Sequence, residues 1–186
     1  MVKRAFDLTA ALILSVLLAV PAAILMLLIR LDSPGPAIFR QERLGKDGKP
    51  FMILKLRSMR LDAEKNGPRW AERNDSRCTR LGSFLRRSRL DELPQLWNIL
   101  HGEMSFVGPE RAYFYDQFEK TIPGFRNRLA VIPGLTGLAQ VNGGYDLSPE
   151  QKIVFDMKYI ENCCVGMDLS CMLKTVRLVF THEGAR

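Results

Sequence analysis

Apolar and polar positions divide this chain unevenly. From Leu8 to Ile29 no charged side chain occurs. That run of about 22 residues is long enough to cross the ~30 Å hydrocarbon layer of a bilayer as a helix. It is longer than the apolar stretch of a secretion signal, and no small-residue cleavage site closes it before Arg30. So uniformly apolar a helix is also rare inside a domain this small. The run is therefore expected to enter a membrane. Its flanks conflict with a straight crossing, because Lys3 and Arg4 precede it, Arg30, Arg40 and Arg43 follow it, and basic residues prefer the cytoplasmic side. Pro21, near the middle, removes a helical hydrogen bond. A segment that enters, breaks at Pro21 and returns to the same face satisfies both flanks. A single kinked span satisfies one, and the pattern leaves both readings open.

Beyond the run, Ser33-Pro34-Gly35-Pro36 reads as a turn. Ala37–Arg43 and Phe51–Arg57 predict two strands of a hairpin around the loop Gly45–Pro50. Leu61–Asn74 predicts a charged helix followed by a loop. Thr79–Arg89 predicts a basic helix with Leu81, Phe84 and Leu85 on one side. A further helix is expected over Asp91–Leu100, with Asp91 as its N-cap, Glu92 at the favourable end of the dipole and Pro94 in the first turn. Its Leu93, Leu96, Trp97 and Leu100 recur at helical spacing and are expected in the core. Gly102–Pro109 reads as a loop, Ala112–Lys120 as a helix ended before Pro123-Gly124, and Pro133–Gly144 as loop-rich. Ser148 and Pro149 mark the start of a helix running to about Glu161. Met167–Thr181 predicts an apolar helix, either in the core or lying in a membrane interface.

The length of 186 residues suits one domain. A net charge of +7 points to anionic partners, which nucleic acid, lipid head groups and phosphorylated substrates all satisfy. The four cysteines form no CxxC pair, and neither His101 nor His182 stands at zinc-finger spacing from them, so free thiols are expected. No Walker loop, Gly-rich dinucleotide fingerprint, HExxH or Ser/His/Asp order stands out. What remains is Asp91 and Glu92 among Arg86, Arg87 and Arg89. By spacing alone this is a capping aspartate beside a solvated basic face. By chemistry it is also a carboxylate able to attack phosphorus and form an aspartyl phosphate, near backbone N–H groups and arginines that hold phosphate oxygens. Magnesium, held by one or two carboxylates and the substrate phosphates, would neutralise a diphosphate there, with Glu92, Asp156 and Asp168 as candidates to help hold it.

Four stretches occur in order: Lys55-Leu56-Arg57-Ser58-Met59; Arg89-Leu90-Asp91-Glu92-Leu93-Pro94-Gln95-Leu96-Trp97-Asn98; Met104-Ser105-Phe106-Val107-Gly108-Pro109; and Pro133 through Gly143. Together they resemble the bacterial sugar transferase family, the monotopic phosphoglycosyl transferases, over nearly the whole chain from Lys3 to about Gly184. The resemblance implies an α+β fold, mostly α. A re-entrant membrane helix would occupy residues 1–32, and a cytoplasmic catalytic domain residues 33–186, with a small β-hairpin, a helical core and interfacial helices. It implies magnesium-dependent transfer in two steps at the bacterial inner membrane. Asp91 would attack the β-phosphate of a UDP-sugar and expel UMP, and undecaprenyl phosphate would then take the phosphosugar. Glu92 would handle metal or protons, and Asp91, Glu92 and Asp156 would form the metal set. Lys55, Arg57, Arg86, Arg111, Asp168, Gln140 and Asn142 would contact substrate. The implied partners are the UDP-sugar, undecaprenyl phosphate, the phospholipid membrane and a second copy in a homodimer, with no nucleic acid.

Three departures from the family pattern matter. Val20 precedes Pro21 where the family commonly has serine. The common GPRP is replaced by Gly108-Pro109-Glu110-Arg111, as though two residues were missing or the loop were shifted. Gly144 stands where some members carry arginine. Many relatives also carry a long N-terminal membrane region, so this chain is expected to be the minimal form. The motifs leave the hexose open. A membrane-tethered module binding anionic lipid or nucleic acid also fits the charge but gives Asp91 and Glu92 no role. A phosphatase working through an aspartyl phosphate would need no lipid acceptor.

Overall fold

The apolar run folds as two helices, α1 (Val2–Leu17) and α2 (Ala19–Asp32), bent 60° apart. The break falls at Leu18, three residues before the expected site at Pro21. Proline has no N–H for the carbonyl four residues earlier and its ring crowds that carbonyl, so the helix yields one turn ahead of it. This computed structural model describes residues 2–65, 67, 75–113 and 122–181. Among the described residues no single helix is long and apolar enough to cross a membrane, although the bent pair together meets that criterion.

Both ends of the bent pair are fastened to the same folded body. At the front, Lys3 pairs with Asp168 at 2.8 Å and Asp7 is buried. At the back, Ile29 packs with Ala37, Leu56 and Leu85. Between them, Leu12, Ile13, Val16, Leu17, Val20, Ile24 and Leu27 are exposed.

The predicted hairpin forms from β1 (Ile38–Leu44) and β2 (Pro50–Leu56), antiparallel with Gln41 opposite Ile53. Alternation puts Phe51, Ile53 and Lys55 on one face of β2. Phe51 and Ile53 enter the main core with Leu96, Ile99, Met104 and Phe106. Lys55 is thereby carried to the rim of that core.

Helix α3 (Arg80–Arg87) is capped by Thr79, whose side chain accepts from the Gly82 amide. Gly82 is required there, since a Cβ would collide with the Ser58 carbonyl. Of the apolar residues expected on one side, Leu85 is buried and Phe84 is 51% exposed. A short 3₁₀ turn, Leu90–Glu92, then leads to α4 (Gln95–His101), which ends at Gly102 with φ +83°. Asp91 is therefore a buried member of the turn and not an N-cap. The turn shifts the phase of the following helix, so Gln95, Leu96, Asn98 and Ile99 face inward while Trp97, expected in the core, is 58% exposed.

The expected loop Gly102–Pro109 contains β3 (Ser105–Val107), and the loop-rich stretch after Pro133 contains β5 (Gly134–Thr136). The two pair in parallel. Each is too short to show a period, and only its distant partner makes it a strand. Between them, Ala112–Tyr113 pairs with β1 as β4, not as the start of the predicted helix; residues 114–121 lie outside the described residues. Leu61–Lys65 forms turns where a helix was predicted, and most of the remainder of that stretch also lies outside them. Helix α5 (Leu138–Val141) precedes α6 (Pro149–Asn162), which begins with the expected Ser148 cap and a capping box through Gln151. Helix α7 (Val165–Thr181) contributes Cys171 to the main core and leaves Val165, Leu169, Leu173, Val176 and Phe180 exposed along one stripe. The fold is mostly helical α+β with a small antiparallel hairpin.

Candidate active site

The 3₁₀ turn sets the two carboxylates against the end of β2. Its entry is strained: Arg89 has φ +56°. A left-handed conformation costs a residue with a Cβ roughly 1–2 kcal/mol, and glycine is the usual occupant one residue past a helix end. The turn closes through the Glu92 amide donating to the Arg89 carbonyl at 3.2 Å. Asp91 is buried at 7% exposure. Its carboxylate lies 3.9 Å from Lys55 Nζ and accepts no hydrogen bond among the described residues.

Glu92 is differently placed. Its Oε1 accepts from Lys55 Nζ at 3.0 Å and from Arg111 Nη2. Burial pushes both carboxyls up. For Asp91 the neighbouring Glu92 charge adds to that, and Lys55, Arg86 and Arg111 only partly oppose it, so its pKa ends above the usual carboxylate value. For Glu92, Arg111 and Lys55 outweigh burial and hold it well below. Adjacent carboxylates thus keep different proton affinities, one fixed as an anion and the other poised.

Arg111 reaches the site from the loop after β3, and its Nη1 donates to the carbonyls of Gly134 and Leu135, each at 3.4 Å. The altered loop is gripped from behind. The Glu110 amide donates to Asp156 at 3.2 Å, the Glu110 carboxylate pairs with Lys152 at 3.1 Å, and Asp156 pairs with Arg128. Burial lifts the Asp156 carboxyl to about 6 against the pull of Arg128.

The residues read from the sequence thus separate. Lys55, Asp91, Glu92 and Arg111 come together, and Arg86 acts on Asp91 through its charge while its Nη1 contacts Cys78 Sγ at 3.8 Å. Asp156 lies fully buried, bound to Arg128 and to the Glu110 amide, so its carboxylate backs the loop that carries Arg111. Arg57, expected on substrate, spends its guanidinium on the exit from α2, donating to the carbonyls of Ser33 and Pro34 at 2.6 Å each. Asp168 accepts from Tyr159 at 2.7 Å and from Lys3, tying α1 to α6 and α7. Gln140 has both amide atoms buried without a hydrogen bond among the described residues, and Asn142 is exposed and donates to the Leu138 carbonyl.

Three positioning groups escaped the sequence reading. Asp7 accepts from Ser105 Oγ at 2.8 Å and from the Phe106 amide at 3.2 Å. Arg4, read only as a membrane flank, donates to the last carbonyls of α4, Ile99 at 2.6 Å and Leu100 at 3.0 Å, a favourable place for a cation. The Asn98 amide bonds the open edge of β2, accepting from the Leu54 N–H and donating to the Met52 carbonyl. A lone carboxylate just before an apolar run was the one available signal for Asp7.

Among the described residues no group of three or more metal-ligating side chains occurs. Magnesium is compatible nonetheless, because it is commonly held by one or two carboxylates with substrate phosphates completing its shell. Asp91 and the second oxygen of Glu92, which has no hydrogen bond among the described residues, would be that pair.

A family model described as bacterial sugar transferase matches residues 1–182. The UDP-N-acetylgalactosamine-undecaprenyl-phosphate N-acetylgalactosaminephosphotransferase of Aeromonas hydrophila is 41% identical over 190 residues, covering 100% of this chain and 45% of its own length. The UDP-glucose:undecaprenyl-phosphate glucose-1-phosphate transferase of Caulobacter vibrioides is 43% identical, covering 98% and 71%. The Escherichia coli K12 protein of the same description is 38% identical, covering 100% and 41%. The chain thus spans less than half the length of two of these three relatives.

Proposed function

This chain belongs to the bacterial sugar transferase family, and from that premise we propose that it moves a sugar-1-phosphate from a UDP-sugar to undecaprenyl phosphate, releasing UMP. This would be a first membrane step of surface polysaccharide or glycoconjugate assembly. The observation that carries the reading is the split between neighbouring carboxylates. Glu92 is neutralised by Lys55 and Arg111, while Asp91, near Lys55 at 3.9 Å, accepts no hydrogen bond among the described residues. A nucleophile needs that freedom.

In the first step an Asp91 oxygen attacks the β-phosphorus. The bond to the oxygen bridging the α-phosphate breaks, and UMP leaves with that oxygen. In the second, a phosphate oxygen of the lipid attacks the same phosphorus, and the Asp91–phosphorus bond breaks to restore the carboxylate. Lys55 and Arg111 offset the charge that builds on the phosphoryl oxygens. Magnesium bound at Asp91 and Glu92 would neutralise the diphosphate.

The placement of both ends of the bent pair supports a re-entrant segment over residues 1–32, since Asp7 and Ile29 both pack on the one folded body that carries Asp91. A straight span would separate those ends by the membrane thickness. The exposed stripe on α7 suits the membrane interface. Residues 33–186 then face the cytoplasm. Labelling of an engineered N-terminal cysteine from the periplasmic side of spheroplasts would reject this topology.

The deciding assay supplies the membrane-extracted protein with magnesium, undecaprenyl phosphate and UDP-linked glucose, galactose, N-acetylglucosamine or N-acetylgalactosamine. UMP release with lipid-linked product is expected from at least one donor. Release of sugar phosphate without acceptor identifies a phosphatase instead, and silence with every donor defeats the reading.

A further inference from the structure

Two residues other than glycine adopt positive φ among those described, Asp47 and Arg89. Asp47 sits in the hairpin loop and is a residue type that tolerates this conformation. Arg89 is not such a type. It occupies the position after α3 where glycine would relieve the strain and still form the turn, so its retention calls for a role for the side chain.

The side chain is unspent. Lys55 and Arg111 are paired with Glu92, and Arg87 donates to the Ser83 carbonyl. The guanidinium of Arg89 makes no hydrogen bond or ion pair among the described residues. Yet its backbone carbonyl accepts from the Glu92 amide, so it stands one turn from both carboxylates, and its charge helps hold Glu92 ionised. A half-buried arginine, held in a strained backbone beside Asp91 and committed to no acceptor among the described residues, matches what a phosphate requires. The planar guanidinium grips two phosphoryl oxygens at once, which an ammonium cannot do.

We propose that Arg89 binds the diphosphate of the nucleotide-sugar donor beside Asp91. The proposal rests on the transferase reading and adds to it a residue that binds donor directly. The strain in the turn is then the cost of placing that guanidinium next to the reacting phosphorus.

The test compares the unsubstituted protein with Arg89→Gly and Arg89→Lys. Affinity for UDP with magnesium is measured by calorimetry, and melting temperature is recorded on the same samples. Arg89→Gly is expected to melt higher, because the strain is gone, and to bind UDP at least about tenfold more weakly. Arg89→Lys keeps the charge and loses the fork, so it should bind with intermediate affinity and show no rise in melting temperature. Unchanged UDP affinity in Arg89→Gly overturns the proposal, and so does a loss confined to undecaprenyl phosphate in mixed vesicles. No UDP binding by the unsubstituted protein overturns it too. UMP release on the same preparations judges the transferase reading separately: a protein that binds UDP through Arg89 but never turns over keeps this inference and loses that one.

Discussion

Lys55 donates from Nζ to Oε1 of Glu92 at 3.0 Å, across 37 residues of chain. The bond joins the end of β2 to the 3₁₀ turn and leaves the same ammonium 3.9 Å from Asp91. The proton affinities of the pair follow from it, and they set the first prediction. Asp91 lies above its ordinary 3.8, and Glu92 lies well below its own ordinary value. Activity that needs an ionised Asp91 falls as pH drops through an apparent pKa above 3.8, while Glu92 stays charged. Lys55 lowers the Asp91 value, so Lys55→Met moves this acid limb to higher pH. The measurement is kcat/KM against pH, and a limb that stays in place counts against the assignment.

Asp91→Asn removes the proposed nucleophile and is expected to cut UMP release by at least roughly a thousandfold. Stability should hold or rise, because a buried ionised carboxyl is replaced by a neutral amide. Intact mass after donor alone should show a sugar-phosphate adduct on the unsubstituted protein and none on the variant.

Asp7 is 3% exposed and satisfies two donors of β3. Asp7→Ala strands both, at a cost of about 2 kcal/mol or more. Thermal unfolding in detergent should show the loss, and the N-terminal end of α1 should become sensitive to protease.

Asn98→Ala exposes the edge of β2 on either side of Leu54, leaving the Leu54 amide and Met52 carbonyl without their partner. Lys55 is the next residue along. The expected result is a drop in kcat larger than any rise in donor KM, together with about 2 kcal/mol of lost stability. A variant that loses stability with kcat intact would mean that Asn98 does not hold Lys55 in place.

Asp156 titrates near 6 in the folded protein, above its ordinary value. The folded state therefore binds that proton more tightly than the unfolded chain, so this contribution is full below the unfolded value and is lost as pH rises through 6. Between pH 5 and pH 7 the unsubstituted protein should lose about 1 kcal/mol that Asp156→Asn does not. Parallel melting-temperature profiles for the two proteins would contradict this.

The sequence by itself determined what neighbours in the chain can settle. The hairpin, the Ser148 cap and the Asp91-Glu92 pair are local, since turn chemistry, alternation and helix signals act over a few residues. The helix break was legible too, displaced by one turn, because proline acts on the carbonyl behind it. Tertiary structure decided which distant charges meet. It brought Lys55 and Arg111 to Glu92, turned Arg57 toward Ser33 and Pro34, and locked Asp156 onto Arg128. It also made strands of Ser105–Val107 and Gly134–Thr136, neither of which has a signal apart from its partner. The physical reason is that a side chain of Lys, Arg or Asp reads the same in sequence whether it faces water, a carbonyl or a substrate. Only the packing of the core fixes which of these lies within hydrogen-bond reach.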